Sequence, residues 1–305
     1  MEHDGPAQRT QTHRKFYARL VTANAGLPPG SELEAALAST PRENFVGPPP
    51  WKVFTRAGYI DANDRDPAIL YQDVVVSLGV DGALNNGQPT LHAFCISALA
   101  IKKGEHIVHI GAGSGYYTTI LAHLVGASGT IYAYELHPEL AARAQHNLAE
   151  FPHVTVHARS GAEPPLPTCD VLYVNAGASE PLAVWLDALN PNGRLLFPLA
   201  PGSNVGGMLL ITRQQNEAFA ARFLTQAQFV PCIGAQNEIE SANLAEAFRA
   251  GKWPQVKSLH RNDTPDESCW YAGRGWWLST DAPAAEDPYR NDDLESSRSI
   301  SRRAT

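Results

Sequence analysis

The chain lacks the features that would tie it to a membrane, a disulfide framework or a nucleic acid. No uncharged apolar run approaches the ~20 residues of a spanning helix. The opening residues, MEHDGPAQRTQTHRK, hold no apolar stretch of signal-peptide type. The 305 residues include only four cysteines, Cys95, Cys169, Cys232 and Cys269, and no C-x-x-C pair. That argues against a disulfide scaffold or a thiolate zinc site and for free thiols in a reducing compartment. A cytoplasmic protein without a membrane partner is expected. Lysine and arginine total 24 against 31 acidic residues, a net charge of -7. With no basic run in the body of the chain, no nucleic-acid partner is expected. The histidines show no recurring ligand spacing, and His106 and His109, three apart on one short strand, face opposite sides of it. No metal site is expected. Neither a nucleophile triad nor a carboxylate pair is visible.

What is present is a periodic α/β pattern. Residues 1 to 12 are polar and read as loose. Lys15 to Ala38 carries helical spacing in two pieces, split at Gly26–Gly30, and Ser31 with Glu34 makes a capping-box pattern at the second. Residues 41–67, rich in proline, glycine and aromatics, read as an irregular cover. From His92 onward, short apolar runs alternate with helical stretches. Strands are expected at 105–110, 130–135, 153–158, 170–177 and 193–200, with helices at 92–102, 115–125, 138–151 and 181–189. Such alternation implies a parallel sheet with helices on both faces. The runs 207–213 and 218–233 are joined by only four residues, too few for a parallel crossover, so they form an antiparallel hairpin. The expected fold is α/β, a doubly wound, mostly parallel seven-stranded sheet ending in that hairpin. It comprises a domain over 13–236, with 13–91 covering a Rossmann-like core over 92–236. A small appendage over 237–280 and a disordered tail over 281–305 follow. The appendage carries a helix near 243–251 and an aromatic strand or hairpin at 269–279, whose tryptophans read as packing.

The strongest local signal is HIVHIGAGSGYYTTILAHL. A strand ends at Ile110, glycines stand at Gly111, Gly113 and Gly115, and a helix begins. Glycines let the chain turn sharply and a ligand approach the backbone, and the helix start adds free N–H groups. A dinucleotide fingerprint needs glycine where Tyr116 stands. The Gly-x-Gly-x-Gly spacing suits a ligand without a pyrophosphate. Glu135, ending the second strand, can accept hydrogen bonds from both hydroxyls of a ribose.

In their order and spacing, PRENFVGPP (41–49), YQD (71–73), GQP (87–89), IGAGSGYYTTILAHLVG (110–126), YELHPELAARA (134–144), CDVLYVNAGA (169–178), LNPNGRLLFPL (189–199) and QFVPCIG (228–234) resemble the protein-L-isoaspartate O-methyltransferases. The resemblance implies the S-adenosyl-L-methionine-dependent methyltransferase fold. It also implies S-adenosyl-L-methionine as cofactor and, as partner, a protein or peptide substrate carrying isoaspartate, whose free carboxylate is methylated. A carboxylate is ionised at neutral pH and a sulfonium leaves readily, so the chemistry rests on positioning, which explains the missing base. Carried over residue by residue, the cofactor site comprises His109, Gly111, Ala112, Gly113, Ser114, Gly115, Tyr116, Glu135, Leu136, Ser160, Gly161 and Asn175. The methyl-transfer site comprises Asn86, Gly87 and Gln88. Of Tyr116 and Tyr117, one is expected over the cofactor and the other in the core.

Three positions depart from the family pattern. Gly87 replaces a serine, so restoring serine there is expected to raise activity. His109 replaces an acid before the glycine loop. Arg159-Ser160-Gly161 replaces Gly-Asp-Gly. Each loss removes a polar contact of about 1–3 kcal/mol. Two further readings therefore stay open: a methyltransferase with another peptide or small-molecule acceptor, and a degenerate homologue that binds the cofactor without turnover.

Overall fold

The computed structural model describes residues 5–62, 65–80 and 84–283. Two helices open the chain, α1 (Pro6–Asn24) and α2 (Glu32–Ser39), separated as the sequence indicates. The helix α1 begins earlier than expected. Its buried face, Tyr17, Ala18 and Val21, anchors it, and the polar residues before that anchor extend the helix back to Pro6. Ser31 caps α2 by accepting from the Glu34 N–H at 3.2 Å. The Glu34 carboxylate reaches back to the Gly30 N–H at 2.9 Å, one residue upstream of the reciprocal partner expected. The covering segment is more ordered than its composition suggests, since it contains an antiparallel hairpin, β1 (Lys52–Thr55) and β2 (Gly58–Asp61).

The core follows the alternation read above: α3 (Pro89–Ala98), β3 (His106–Ile110), α4 (Tyr116–Val125), β4 (Thr130–Tyr134), α5 (Pro138–Asn147), β5 (Val154–His157), β6 (Cys169–Val174), α6 (Ala183–Asp187) and β7 (Leu189–Leu199). The hairpin β8 (Gly206–Arg213) and β9 (Phe219–Ala227) comes next. Strands pair in the order β5-β4-β3-β6-β7-β8-β9, parallel through β7 and antiparallel beyond it. Side chains alternate between the faces. Ile107, Val171 and Leu196 join one cluster with residues of α1 to α4, while Val108, Leu172 and Leu195 join another with Trp185 and Leu244. Burying each such aliphatic side chain contributes about 1.5–3 kcal/mol.

The sheet does not stop at seven strands. After α7 (Glu238–Ala250), which starts five residues earlier than expected because Asn237 caps it, come β10 (Ser258–Arg261), β11 (Cys269–Gly273) and β12 (Trp276–Ser279). All three are antiparallel additions, giving a sheet of ten strands among the described residues. The far edge of β9 would otherwise present unpaired N–H and C=O groups. Instead Phe219 and Ala220 pair with Leu259 and Ser258. Phe223, Phe248, Trp253 and Trp270 pack edge to face over this junction, with the Phe223 ring centre within 5.6 Å of the other three. Trp276 packs on Tyr271 and Trp277 stacks on His260, so the tryptophans cover the sheet edge. The expected disordered tail lies outside the described residues from position 284 onward.

One buried charge organises the cover. Arg42 is fully buried. Its guanidinium donates to the carbonyls of Leu70 (2.6 Å), Gln72 (3.1 Å) and Val74 (2.5 Å), and to Asn86 Oδ1 (3.2 Å). The planar fork thus holds the 70–74 segment of the cover against the loop leading into α3. Replacing it leaves the Leu70 and Val74 carbonyls without donors, while the Gln72 carbonyl keeps the Val74 N–H. Arg42→Met should lower stability by about 3 kcal/mol, read as a fall in the urea midpoint. Arg42→Lys should recover less than half, because a single ammonium cannot span the set.

Candidate functional site

A cavity of about 1220 Å³ opens where the strand order reverses, between the C-terminal ends of β3 and β6. Open α/β sheets bind ligands at this point, because the chain leaves β3 and β6 in opposite directions and a crevice remains. The volume exceeds the range typical of one small ligand and leaves room for a second molecule.

Four strand ends supply its floor. After β3, Gly111 (φ +73°) and Gly113 (φ +57°) take left-handed backbone. A Cβ at Gly111 would meet the Asn175 carbonyl carbon at an ordinary 3.4 Å, so it is the left-handed backbone that calls for glycine there. Ala112, Ser114 and Tyr116 line the same wall. After β4 come Glu135 and Leu136, after β5 Ser160 and Gly161, and after β6 Asn175. The cover and the chain following β9 close the other side, with Asn86, Gly87 and Gln88 lining the opening together with Phe229 and Ile233.

Two predicted residues lie outside the lining. Gly115 (φ +95°) faces α5, where a Cβ would meet Leu148 at 3.0 Å; it lets two helices approach. His109 is fully buried behind the wall. Its Nδ1 lies 2.9 Å from Thr118 Oγ1, and its Nε2 accepts from Asn175 Nδ2 at 2.8 Å. Burial pushes its pKa down to about 3, so the ring stays neutral. The histidine at the acid's position therefore orients Asn175, whose Oδ1 is buried and has no partner.

Glu135 is held from both sides. Its Oε2 accepts from the Gly113 N–H at 2.7 Å and its Oε1 from the His137 N–H at 2.8 Å. Burial raises its pKa, and these two backbone hydrogen bonds oppose the rise. Each oxygen keeps an acceptor position for a ligand. Ser160 Oγ accepts from the Ala162 N–H at 3.1 Å, and Arg159 lies 4.8 Å over the Tyr134 ring. Tyr116 and Tyr117 are both buried and both reach the lining. Tyr116 packs edge-on to Phe45, and Tyr117 stacks on His92 at 3.8 Å.

Asn86 is buried, with only 7% of its surface exposed. Its Oδ1 receives the Arg42 guanidinium and the Val76 N–H (3.0 Å), which fixes the amide orientation. Its Nδ2 is left buried without a partner. Sequence reasoning passes over Arg42, since its role depends on carbonyls about 30 residues away. It also passes over His92, a cavity residue on α3 whose only sequence signal is the proline-started helix after Gly87. A Cβ at Gly87 would fall 2.0 Å from His92 Nε2, and Gly87 has φ +68°. The expectation that serine at position 87 restores activity therefore meets a steric block.

Comparison with known proteins agrees with this architecture. The family model described as Protein-L-isoaspartate(D-aspartate) O-methyltransferase (PCMT) matches residues 24–237. The chain is 30% identical over 226 residues to protein-L-isoaspartate O-methyltransferase 2 of Anaeromyxobacter sp., covering 72% of this chain and 83% of that one. It is 31% identical over 199 residues to the protein-L-isoaspartate O-methyltransferase of Gloeobacter violaceus, covering 62% and 87%. Among solved structures, a Plasmodium falciparum chain in complex with S-adenosyl-L-homocysteine superimposes with a TM-score of 0.58 at 18% identity, covering 72% and 98%. That likeness establishes the fold.

The setting of Glu135 generates a pH dependence. Only the ionised carboxylate can accept from two hydroxyls at once. Its raised pKa means protonation begins at a higher pH than for an ordinary glutamate. Affinity for S-adenosyl-L-methionine, measured by calorimetry, should therefore fall as pH drops through the upper carboxylate range. Glu135→Gln should bind about tenfold more weakly near neutral pH and lose this dependence.

Proposed function

Since this chain belongs to the protein-L-isoaspartate O-methyltransferase family, we propose that its cavity methylates isoaspartyl carboxylates in proteins or peptides, with S-adenosyl-L-methionine as the methyl donor. The observation that carries the reading is the pairing, in one cavity, of a ribose-type acceptor on the floor with an unpartnered donor on the cover.

The residues present fit the cofactor. Glu135 offers two oriented oxygens to a ribose. Asn175 Oδ1, buried and unpaired, is an acceptor suited to an ammonium group, and His109 keeps it turned that way. A neutral amide replaces the family's fixed charge, so this contact is weaker than an ion pair. Gly111, Ala112, Gly113, Ser114 and Tyr116 shape the wall beside it. Leu136, Ser160 and Gly161, which line the same cavity beside the Arg159–Tyr134 stack, would hold the adenine. When bound, the cofactor supplies an electrophilic methyl group on a good leaving group.

The chain's own task is then to place a carboxylate in line and keep water out. The unpaired Asn86 Nδ2 donates to the entering carboxylate, and Arg42 prevents the amide from rotating away. Gln88, more exposed, donates to Asp73 Oδ2 at 3.0 Å and tethers the loop that carries Gly87 to the cover. No proton needs to be removed, so the buried, neutral histidines cause no difficulty. A cytoplasmic setting suits the four free thiols, and no helix among the described residues is long and apolar enough to cross a membrane.

Incubation with methyl-labelled S-adenosyl-L-methionine and an isoaspartyl peptide, beside its aspartyl twin, tests the proposal. Base-labile label on the isoaspartyl peptide alone is expected. Equal labelling of both peptides, or none on either with the cofactor bound, would refute the substrate assigned.

A further inference from the structure

The steric block at Gly87 has a partner, and that partner carries a hydrogen-bonding group. A Cβ at position 87 would lie 2.0 Å from His92 Nε2, 2.6 Å from Cδ2 and 3.2 Å from Cε1. The imidazole thus fills the volume that a side chain at 87 would take. It is only 2% exposed yet lines the cavity, beside Asn86 and Gly87.

The ring is pinned. It stacks on Tyr117 at 3.8 Å with an interplanar angle of 16°. Tyr173 and Phe229 pack edge-on at 6.1 and 6.0 Å. Its Nδ1 lies 2.7 Å from the Tyr173 hydroxyl. Nε2 makes no hydrogen bond among the described residues. It is the ring atom nearest to where a side chain at 87 would begin, so it points toward the loop that carries Asn86 and Gly87.

The proton arrangement follows from the neighbours. Burial, first, and the Arg42 charge push the His92 pKa down to about 3, so the ring is neutral and carries one N–H. With the Tyr173 hydroxyl donating to Nδ1, the ring hydrogen resides on Nε2. A donor therefore faces the cavity a few residues from the unpaired Asn86 Nδ2. Two neutral donors on one wall suit a carboxylate, which accepts through both oxygens.

We propose that His92 is an acceptor-binding residue of this cavity: its Nε2–H donates to the carboxylate that is methylated, taking over the hydrogen bond for which position 87 has no side chain. The inference rests on the function proposed above and assigns the acceptor side of that same site. Glycine at 87 and histidine at 92 form one unit, in which the absence of a side chain at the first makes room for the ring of the second.

The test uses the full chain and reads binding as well as turnover. Peptide affinity is measured by calorimetry on the protein saturated with S-adenosyl-L-homocysteine, and KM and kcat are measured with the isoaspartyl peptide. His92→Phe keeps the ring and removes the donor. It should weaken peptide binding and raise KM about 10- to 100-fold, with S-adenosyl-L-homocysteine affinity within about twofold of the parent. His92→Gln, whose amide can reach the same point, should recover most of the loss. Gly87→Ser alone should bind peptide more weakly than the parent, while Gly87→Ser combined with His92→Ala should bind it more tightly than His92→Ala. A change in peptide affinity below about threefold in His92→Phe, with nucleoside binding intact, would overturn the assignment. Peptide that binds in a His92-dependent way but is not methylated would leave the assignment standing and refute the activity instead.

Discussion

Arg42 is buried inside a wall made otherwise of apolar and backbone groups, and it pairs with no carboxylate among the described residues. A guanidinium so placed is tolerable only where fixed acceptors meet its terminal donors; three carbonyls and one amide oxygen meet Nη1 and Nη2, while Nε is left buried without a partner. The cost of burying the charge is offset only in one geometry of the cover. Leu70 to Val74 and Asn86 are therefore fixed relative to one another. The cavity wall inherits that order, since Asn86 both anchors Arg42 and lines the cavity, its Nδ2 buried without a partner. A flexible cover would have to be ordered by the substrate, and that ordering would cost affinity.

The three departures from the family pattern become intelligible beside their neighbours. His109 does not line the cavity; it turns an asparagine that does. Gly87 does not leave a hole, because His92 stands in the space. Ser160 keeps an oxygen at its strand end, tied to the Ala162 N–H. In the roles proposed above, a contact made directly by one side chain in the family pattern would pass, at two of the three positions, to a residue elsewhere in the chain. Charge is lost in two of the exchanges, so binding leans more on neutral hydrogen bonds, whose strength depends on exclusion of water.

The C-terminal strands solve a different problem. A seven-stranded sheet would end at β9 with an open edge, and β10 to β12 extend it instead. The aromatic cluster around Phe223 buries the junction, and none of its tryptophans reaches the cavity. This extension stabilises the sheet edge from the side remote from the switch point.

Much of this was written in the order of residues. The alternation of apolar runs and helical spacing specified the parallel sheet, because period-two and period-3.6 patterns differ strongly over long segments. The short link between residues 213 and 218 specified the hairpin, because a parallel crossover has a minimum length. Gly111, Gly113 and Glu135 marked the floor of the cavity, because few other residues allow that turn and that hydrogen bonding. The sequence did not reveal how the β9 edge is covered, since strands of four or five residues carry too little periodicity to assign a partner. Nor did it reveal Arg42 with its carbonyls, His109 behind Asn175, or His92 against Gly87. The first two bring together atoms far apart in the chain, and the third depends on how a helix turns its first ring back onto the loop before it. Local pattern determined which elements form and in what order; only close packing decided which polar atoms were satisfied by the protein and which were left for a ligand.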